Sequence, residues 1–141
     1  FSNEELLYFK YFHEKTNVFP KFVLILNNFI FYFIDGKKYA EVNKYIDDFR
    51  RSIKHKKILF IYLEDVLVNL IHRFFPNIYI YDLFIIEGEI IPEVCITVLS
   101  YRERGIAIGR KGDYIKTVNK ILEKFINFKE GNVTVSCVVQ S

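Results

Sequence analysis

The stretch GIAIGRKGDYIKTVNK, residues 105–120, decides how the rest of the chain is interpreted. Within it, Gly109 and Gly112 bracket two cations, Arg110 and Lys111. Glycine adopts backbone angles denied to other residues, and its missing side chain lets a partner approach closely. The residues after the loop predict a helix, whose free N-terminal N–H groups attract anions. The stretch therefore predicts a loop that binds nucleic-acid phosphates; the alternative is a tight turn between two helices whose cations face water.

The helix predicted after the loop, residues 113–127, has two distinct faces. Its apolar face follows the spacing i, i+3, i+7 and i+10, with Ile115, Val118, Leu122 and Phe125. This spacing indicates one stripe that packs against a sheet. A second face carries Lys116, Lys120 and Lys124. These lysines either extend the positive charge of the loop or face solvent as ordinary surface residues.

The pattern of apolar residues predicts an α+β fold. The expected elements are helix 3–15, strands within 22–34 about an Asn27-Asn28 turn, helix 38–53, helix 59–75 ended by Pro76, strands 78–86 and 93–101, a short helix 102–108, helix 113–127 and strand 133–139. Turns are expected at 87–92 and at Gly131-Asn132. We accordingly expect an N-terminal extension, residues 1–57, of a helix, a strand pair, a helix and a basic cluster, followed by a domain over residues 58–141.

The composition indicates a folded protein with a mild preference for anionic partners. Of the 141 residues, 51% are hydrophobic and 18% aromatic, which argues against disorder. The net charge is +3. The most apolar run, residues 18–34, is shorter than the roughly 20 residues of a spanning helix and is interrupted by Lys21. We expect no membrane partner, although a membrane-surface segment is the minority interpretation.

A basic cluster lies at the end of the predicted helix 38–53. It consists of Arg50, Arg51, Lys54, His55, Lys56 and Lys57. Cations suit the C-terminus of a helix, so a solvated helix end is one interpretation. A phosphate-binding patch is the other, and the sequence leaves both open.

No set of residues indicates catalysis or metal binding. His13, His55 and His72 are scattered, and neither a phosphate-binding P-loop nor a G-x-S-x-G motif is present. Cys95 and Cys137 lie in separate apolar runs and lack the spacing of a zinc site. We expect two buried thiols, no enzyme activity, no cofactor and no small-molecule substrate.

Residues 96–125, ITVLSYRERGIAIGRKGDYIKTVNKILEKF, resemble the core of a small-subunit ribosomal protein of the universal uS-three family. The resemblance implies a type II KH domain of order α-β-β-α-α-β, with a three-stranded sheet backed by helices. KH loops of the GxxG form clamp about four backbone nucleotides. The resemblance implies a structural role in the head of the small subunit, near the mRNA entry path.

The partners implied by this resemblance are ribosomal RNA, mRNA and neighbouring ribosomal proteins. The predicted RNA-binding residues are Gly109, Arg110, Lys111, Gly112, Arg104, Lys116, Lys120, Arg50, Arg51, Lys54, Lys56 and Lys57. The abundance of Phe, Ile, Tyr, Lys and Asn is typical of A/T-rich genomes. It favours an organellar ribosome, in a mitochondrion rather than a plastid, over a cytoplasmic one.

Two alternatives remain open. The segment AIGRKG also resembles the KH repeats of NusA, a transcription elongation and termination factor that carries two KH domains side by side. The other alternative is a fold used only for protein contacts, because exposed aromatic residues mark interfaces. The many aromatic side chains of residues 1–34 are expected to pack on the KH sheet or on a neighbouring protein.

Overall fold

The computed structural model describes residues 2–87, 91–126 and 132–140, and its backbone contacts divide the chain into two compact units. We call Phe1–Glu64 unit 1 and Asp65–Ser141 unit 2. The predicted α+β class is confirmed, since each unit combines helices with one three-stranded sheet. The division falls between Glu64 and Asp65 rather than at the predicted 57/58, because residues 57–63 complete the sheet of unit 1.

Unit 1 has the element order α-β-β-α-α-β. Its elements are α1 Asn3–Thr16, β1 Phe22–Leu26, β2 Phe29–Asp35, α2 Gly36–Asn43, α3 Ile46–Ser52 and β3 Lys57–Leu63. The central strand β2 pairs antiparallel with β1 and parallel with β3. The predicted hairpin about Asn27-Asn28 is confirmed, and Asn27 adopts a φ of 54° there. Asparagine tolerates this left-handed conformation better than most residues.

Unit 2 repeats the same order. Its elements are α4 Leu67–Phe74, β4 Asp82–Ile86, β5 Glu93–Val98, α5 Tyr101–Ile108, α6 Asp113–Lys124 and β6 Thr134–Val139. The central strand β5 pairs antiparallel with β4 and parallel with β6. The two units therefore share both the order of their elements and the pairing of their sheets. The predicted N-terminal extension is therefore most of unit 1, which has the same architecture as unit 2, although the sequence shows no internal repeat.

Aromatic side chains fill the interior of unit 1. Phe12 of α1, Tyr32 of β2, Phe49 of α3 and Phe60 of β3 are all buried and meet at ring-centroid separations of 4.7 to 5.6 Å. Four of these six ring contacts are edge-to-face, a geometry that adds stability beyond the area buried. Of the aromatic residues in 1–34, Phe12 and Tyr32 thus belong to the core of unit 1 itself.

The prediction of one helix over residues 59–75 is wrong. Residues 57–63, KILFIYL, form β3, and α4 begins only at Leu67. The register runs from Phe29 opposite Lys57 to Asp35 opposite Leu63, so β3 pairs with β2 along its whole length. This pairing stabilises a strand more than the helical spacing of the apolar residues stabilises a helix. An apolar run of this length is compatible with either period, and tertiary pairing decides between them.

Three further boundaries differ from expectation. The predicted helix 38–53 is two helices, α2 and α3, separated at residues 44–45. The predicted strand 78–86 shortens to β4, and the predicted strand 93–101 shortens to β5 because Ser100 already caps α5. Of the predicted turns, residues 88–90 and Gly131 lie outside the described residues. Within the described part of the chain, no helix is long and apolar enough to cross a membrane.

Candidate functional site

Helix α5 leads into the GRKG loop, residues 109–112, and hydrogen bonds fix where this helix begins. The Ser100 hydroxyl caps it by accepting from the Glu103 N–H at 3.1 Å. The Glu103 carboxylate accepts from the backbone N–H of Tyr79 at 2.9 Å. The Arg104 Nε–H donates to the Cys137 carbonyl at 3.0 Å, which ties α5 to β6. The loop is therefore carried on a helix anchored at two places in unit 2.

The backbone of the loop turns through left-handed conformations at three of its four residues. Gly109 has φ 79° and ψ 178°, Lys111 has φ 56° and ψ 25°, and Gly112 has φ 74° and ψ 16°. Residues 110–112 form one 3₁₀ turn, closed by the Gly112 N–H donating to the Gly109 carbonyl at 3.1 Å. Glycine takes such angles freely, whereas a lysine there is uncommon.

The two glycines are required for different reasons. A Cβ added to Gly109 would lie 2.8 Å from Tyr114 Cβ and 2.9 Å from the Tyr114 backbone nitrogen, closer than real Cβ atoms come. A Cβ added to Gly112 would first meet Lys116 Cε at 3.5 Å, an ordinary contact. Packing and backbone angle together demand glycine at 109, while the angle alone favours it at 112.

Helix α6 holds the far side of the loop. The buried Tyr114 hydroxyl donates to the Phe74 carbonyl, which ties α6 to α4. Burial raises the pKa of Tyr114, so the phenol remains protonated and keeps donating. The Asn119 side chain bonds both to the N–H and to the carbonyl of Val135 in β6, at 2.6 and 3.1 Å.

The buried face of α6 is rotated slightly from the predicted stripe. Val118 and Leu122 are buried as expected, and Tyr114, Thr117 and Ile121 join them. Ile115 is only half-buried, and Phe125 is 46% exposed. The rotation follows from the helix packing against α5 as well as β6, with Tyr114 also reaching Phe74, which a single stripe facing a sheet does not anticipate.

Cations gather around the loop with one carboxylate among them. Arg110 and Lys111 are exposed, as are Lys116 and Lys120 one and two turns into α6. The Lys116 ammonium lies 3.5 Å from the Lys111 carbonyl, so it extends the positive surface of the loop. Asp113 Oδ1 is buried and has no hydrogen-bond partner among the described residues. The charge offered to solvent is therefore mainly positive.

The basic cluster at residues 50–57 lies in unit 1, and most of its cations already have partners there. Arg50 donates to the Ile58 carbonyl at 3.3 Å, and Arg51 pairs with Asp48. Lys56 donates to the Asn27 carbonyl at 3.3 Å. The Lys57 ammonium lies 5.8 Å from the centroid of the Phe29 ring. Lys54 is exposed. Arg104, likewise predicted to bind RNA, donates to Cys137 as described above. RNA binding by these residues stays a prediction.

Within residues 2–64, the described part of unit 1, no loop corresponds to GRKG. At the equivalent place in the element order, α2 and α3 are joined by Lys44 and Tyr45, both with right-handed helical angles. Neither residue is glycine, and the junction offers no left-handed turn. The candidate site is thus present in one unit only, although the fold is present in both. The repeated order of helices and strands is the sequence signal of this duplication. Predicting a helix at 59–75 concealed it, because unit 1 then lacks its last strand.

The described residues contain no group of three His, Cys, Asp or Glu that could hold a metal ion. Cys95 and Cys137 are free, buried thiols, as predicted. Burial raises the pKa of Cys137.

No protein-family model and no curated protein matches this chain. Its structure is similar to the crystal structure of APE1850, with a TM-score of 0.66 and 22% sequence identity. The match covers 96% of this chain and 100% of that chain. At this identity the likeness supports the fold alone. Because the match covers nearly the whole chain, both α-β-β-α-α-β units belong to the shared fold.

Proposed function

We propose that this chain is an RNA-binding protein that holds the phosphates of a single strand in the GRKG loop of unit 2. The carrying observation is the loop itself, in which two glycines with positive φ expose two cations at the start of α6. A helix N-terminus and adjacent cations both favour a phosphate group. Catalysis is not part of the proposal.

The order and pairing of unit 2 support a type II KH domain. A helix, an antiparallel strand pair, two helices joined by GxxG and a strand parallel to the central one match the arrangement implied by the sequence resemblance. In such domains the loop clamps about four nucleotides by their backbone. Gly109 and Gly112 here permit close approach, while Arg110 and Lys111 supply the charge.

The duplication favours the NusA-like role over the ribosomal one. NusA carries two KH domains, and unit 1 repeats the α-β-β-α-α-β order and the mixed sheet of unit 2. The ribosomal resemblance accounts for a single KH domain and leaves residues 1–57 as an extension. We therefore propose a factor of transcription elongation or termination, with an organellar ribosomal protein as the second candidate.

The RNA-binding proposal is tested by reversing the two loop charges. The double variant Arg110→Asp and Lys111→Asp is compared with Lys37→Asp and Lys38→Asp, which makes the same charge change at exposed positions of unit 1. Titration of a labelled single-stranded RNA octamer should show at least about tenfold weaker binding for the loop variant only. Equal losses in both variants would mean that net charge, rather than the loop, governs binding.

Salt dependence sharpens this test. If both cations contact phosphates, the neutral variant Arg110→Gln with Lys111→Gln should flatten the slope of log affinity against log salt by about 1.4, since each single-strand phosphate contact contributes about 0.7. An unchanged slope would contradict phosphate contact by these side chains.

The two roles are separated by fractionation of cell extracts. The NusA-like role predicts that the chain travels with RNA polymerase and is absent from the small ribosomal subunit on a sucrose gradient. Stoichiometric co-sedimentation with that subunit would refute the transcription role and support the ribosomal one.

A further inference from the structure

An exposed strip runs along α5 from its first residue to the loop. Tyr101 and Gly105 are exposed and spaced i and i+4, so they lie one turn apart on one face of α5, which ends at Ile108 beside the loop. Tyr101 is 80% exposed, the highest value among the exposed large hydrophobic residues.

Gly105 makes this strip open in the middle. It lies inside a helix, and a Cβ added to it would meet nothing within 4 Å. Unlike Gly109 and Gly112, it has no positive φ to explain the choice of glycine. A glycine inside a helix is destabilising by roughly 0.5–1 kcal/mol relative to alanine. The residue is therefore costly to the fold, and the one thing it provides is clear space beside the helix.

The aromatic end of the strip is fixed in position. Tyr101 follows Ser100, whose hydroxyl caps α5, and the cap is held by Glu103 and through it by the backbone of Tyr79. A ring whose backbone is anchored while its faces are in solvent offers a ready stacking surface. The same end carries the exposed cation Arg102.

We propose that Tyr101 is a stacking platform for one nucleobase of the strand whose phosphates the GRKG loop holds, so that the ligand is a single-stranded RNA with an unstacked base. This inference rests on the proposed function. Eight residues of helix separate Tyr101 from Gly109, a distance of about 12 Å along the axis. A single strand of the few nucleotides that a GxxG loop clamps is long enough to reach from the loop to the ring.

Stacking on an aromatic ring is the contact this end of the strip supplies. Every base has an aromatic face, so stacking adds affinity with little sequence preference. Gly105 leaves room for the strand to pass between the platform and the loop. The continuity of the strip with the cationic loop favours a nucleic acid over a protein as its occupant.

The test replaces the ring while keeping its bulk. Tyr101→Leu retains an apolar side chain without a ring, and Tyr101→Phe retains the ring. With the labelled RNA octamer, Tyr101→Leu should bind at least about fivefold more weakly and Tyr101→Phe within about twofold of the original chain. The salt slope should not change in either variant, because no phosphate contact is removed. Thermal melting followed by circular dichroism confirms that both variants are folded.

Abasic oligonucleotides identify the base that stacks. One abasic position in the octamer should weaken binding to the original chain and have no such effect on Tyr101→Leu. If Tyr101→Leu binds RNA normally while the reversed-charge loop variant does not, the platform is refuted and the RNA-binding function stands. If Tyr101→Phe loses as much as Tyr101→Leu, the ring is not the recognised feature and stacking is refuted. If the original chain binds no RNA, the function and the platform both fall.

Discussion

Replacing Gly109 with alanine should damage unit 2 far more than the same change at Gly112. Both residues have positive φ, but only at 109 does the backbone also leave no room for a side chain. The added Cβ would come within 2.8 Å of Tyr114 Cβ and 2.9 Å of the Tyr114 backbone nitrogen. The nitrogen belongs to the first turn of α6, so the clash is relieved only by moving that helix.

The expected costs follow from these geometries. At φ 79° and ψ 178°, a region that only glycine occupies readily, alanine costs of order 1–3 kcal/mol. Forcing an extra carbon into a packed contact adds about 1–3 kcal/mol. Gly109→Ala should therefore reduce the free energy of unfolding by about 2–6 kcal/mol. Gly112→Ala, with an ordinary 3.5 Å contact, should cost about 1–2 kcal/mol from the backbone angle alone.

Urea unfolding followed by far-UV circular dichroism measures the difference. With a slope of about 1.5 kcal/mol per molar urea, Gly109→Ala should lower the midpoint by about 1.3–4 M and Gly112→Ala by about 1 M. Since the chain has two units, amide hydrogen exchange in α6 shows which of them has lost stability. Equal midpoints for the two variants would refute the steric argument, and unchanged exchange in α6 would refute its location.

Two further predictions concern single residues of unit 2. Gly105→Ala should raise the free energy of unfolding by about 0.5–1 kcal/mol, because alanine is the better helix former and its Cβ would meet nothing within 4 Å. The same urea titration measures this change. A less stable variant would mean that the fold itself requires glycine at this position. Burial raises the pKa of Cys137 and so disfavours its reactive thiolate. At any pH below that raised pKa, Cys137 should therefore react with a thiol-specific reagent more slowly in the native protein than in urea. Equal rates would contradict its burial.

The sequence was sufficient where local chemistry decides the structure. The glycines of the loop, the helix behind it and the Asn27-Asn28 hairpin were all predicted, since each depends on residues close together in the chain. The i, i+3, i+7 spacing located α6 to within a few residues, because an amphipathic helix carries its period in its own sequence.

The sequence was insufficient where pairing between distant segments decides. Residues 57–63 are apolar throughout, and nothing within them distinguishes a buried strand from a buried helix. Their parallel pairing with β2, which fixes them as a strand, is formed across α2 and α3. Misassigning this one segment removed a strand from unit 1, so the second copy of the architecture was read as an extension.

The contrast between the units explains why a duplicated fold has one candidate site. In unit 1 the residues that join α2 and α3 keep right-handed helical angles, and aromatic rings pack together in the interior. Backbone angles and packing in unit 1 therefore both favour the folded state. In unit 2 the equivalent junction holds Lys111 at φ 56°, a conformation unfavourable for a long side chain.

The other two non-glycine residues with positive φ in the described chain are Asn17, which caps α1, and Asn27 in the hairpin. Asparagine at such turns needs no further explanation, whereas Lys111 does. Local strain persists where the surroundings over-determine it, and it clusters at binding sites. The bonds of Arg104, Tyr114 and Asn119 supply that over-determination here. A loop backbone held in an unfavourable shape between two anchored helices does not have to reorder when a strand binds, which lowers the entropic cost that the protein contributes to binding.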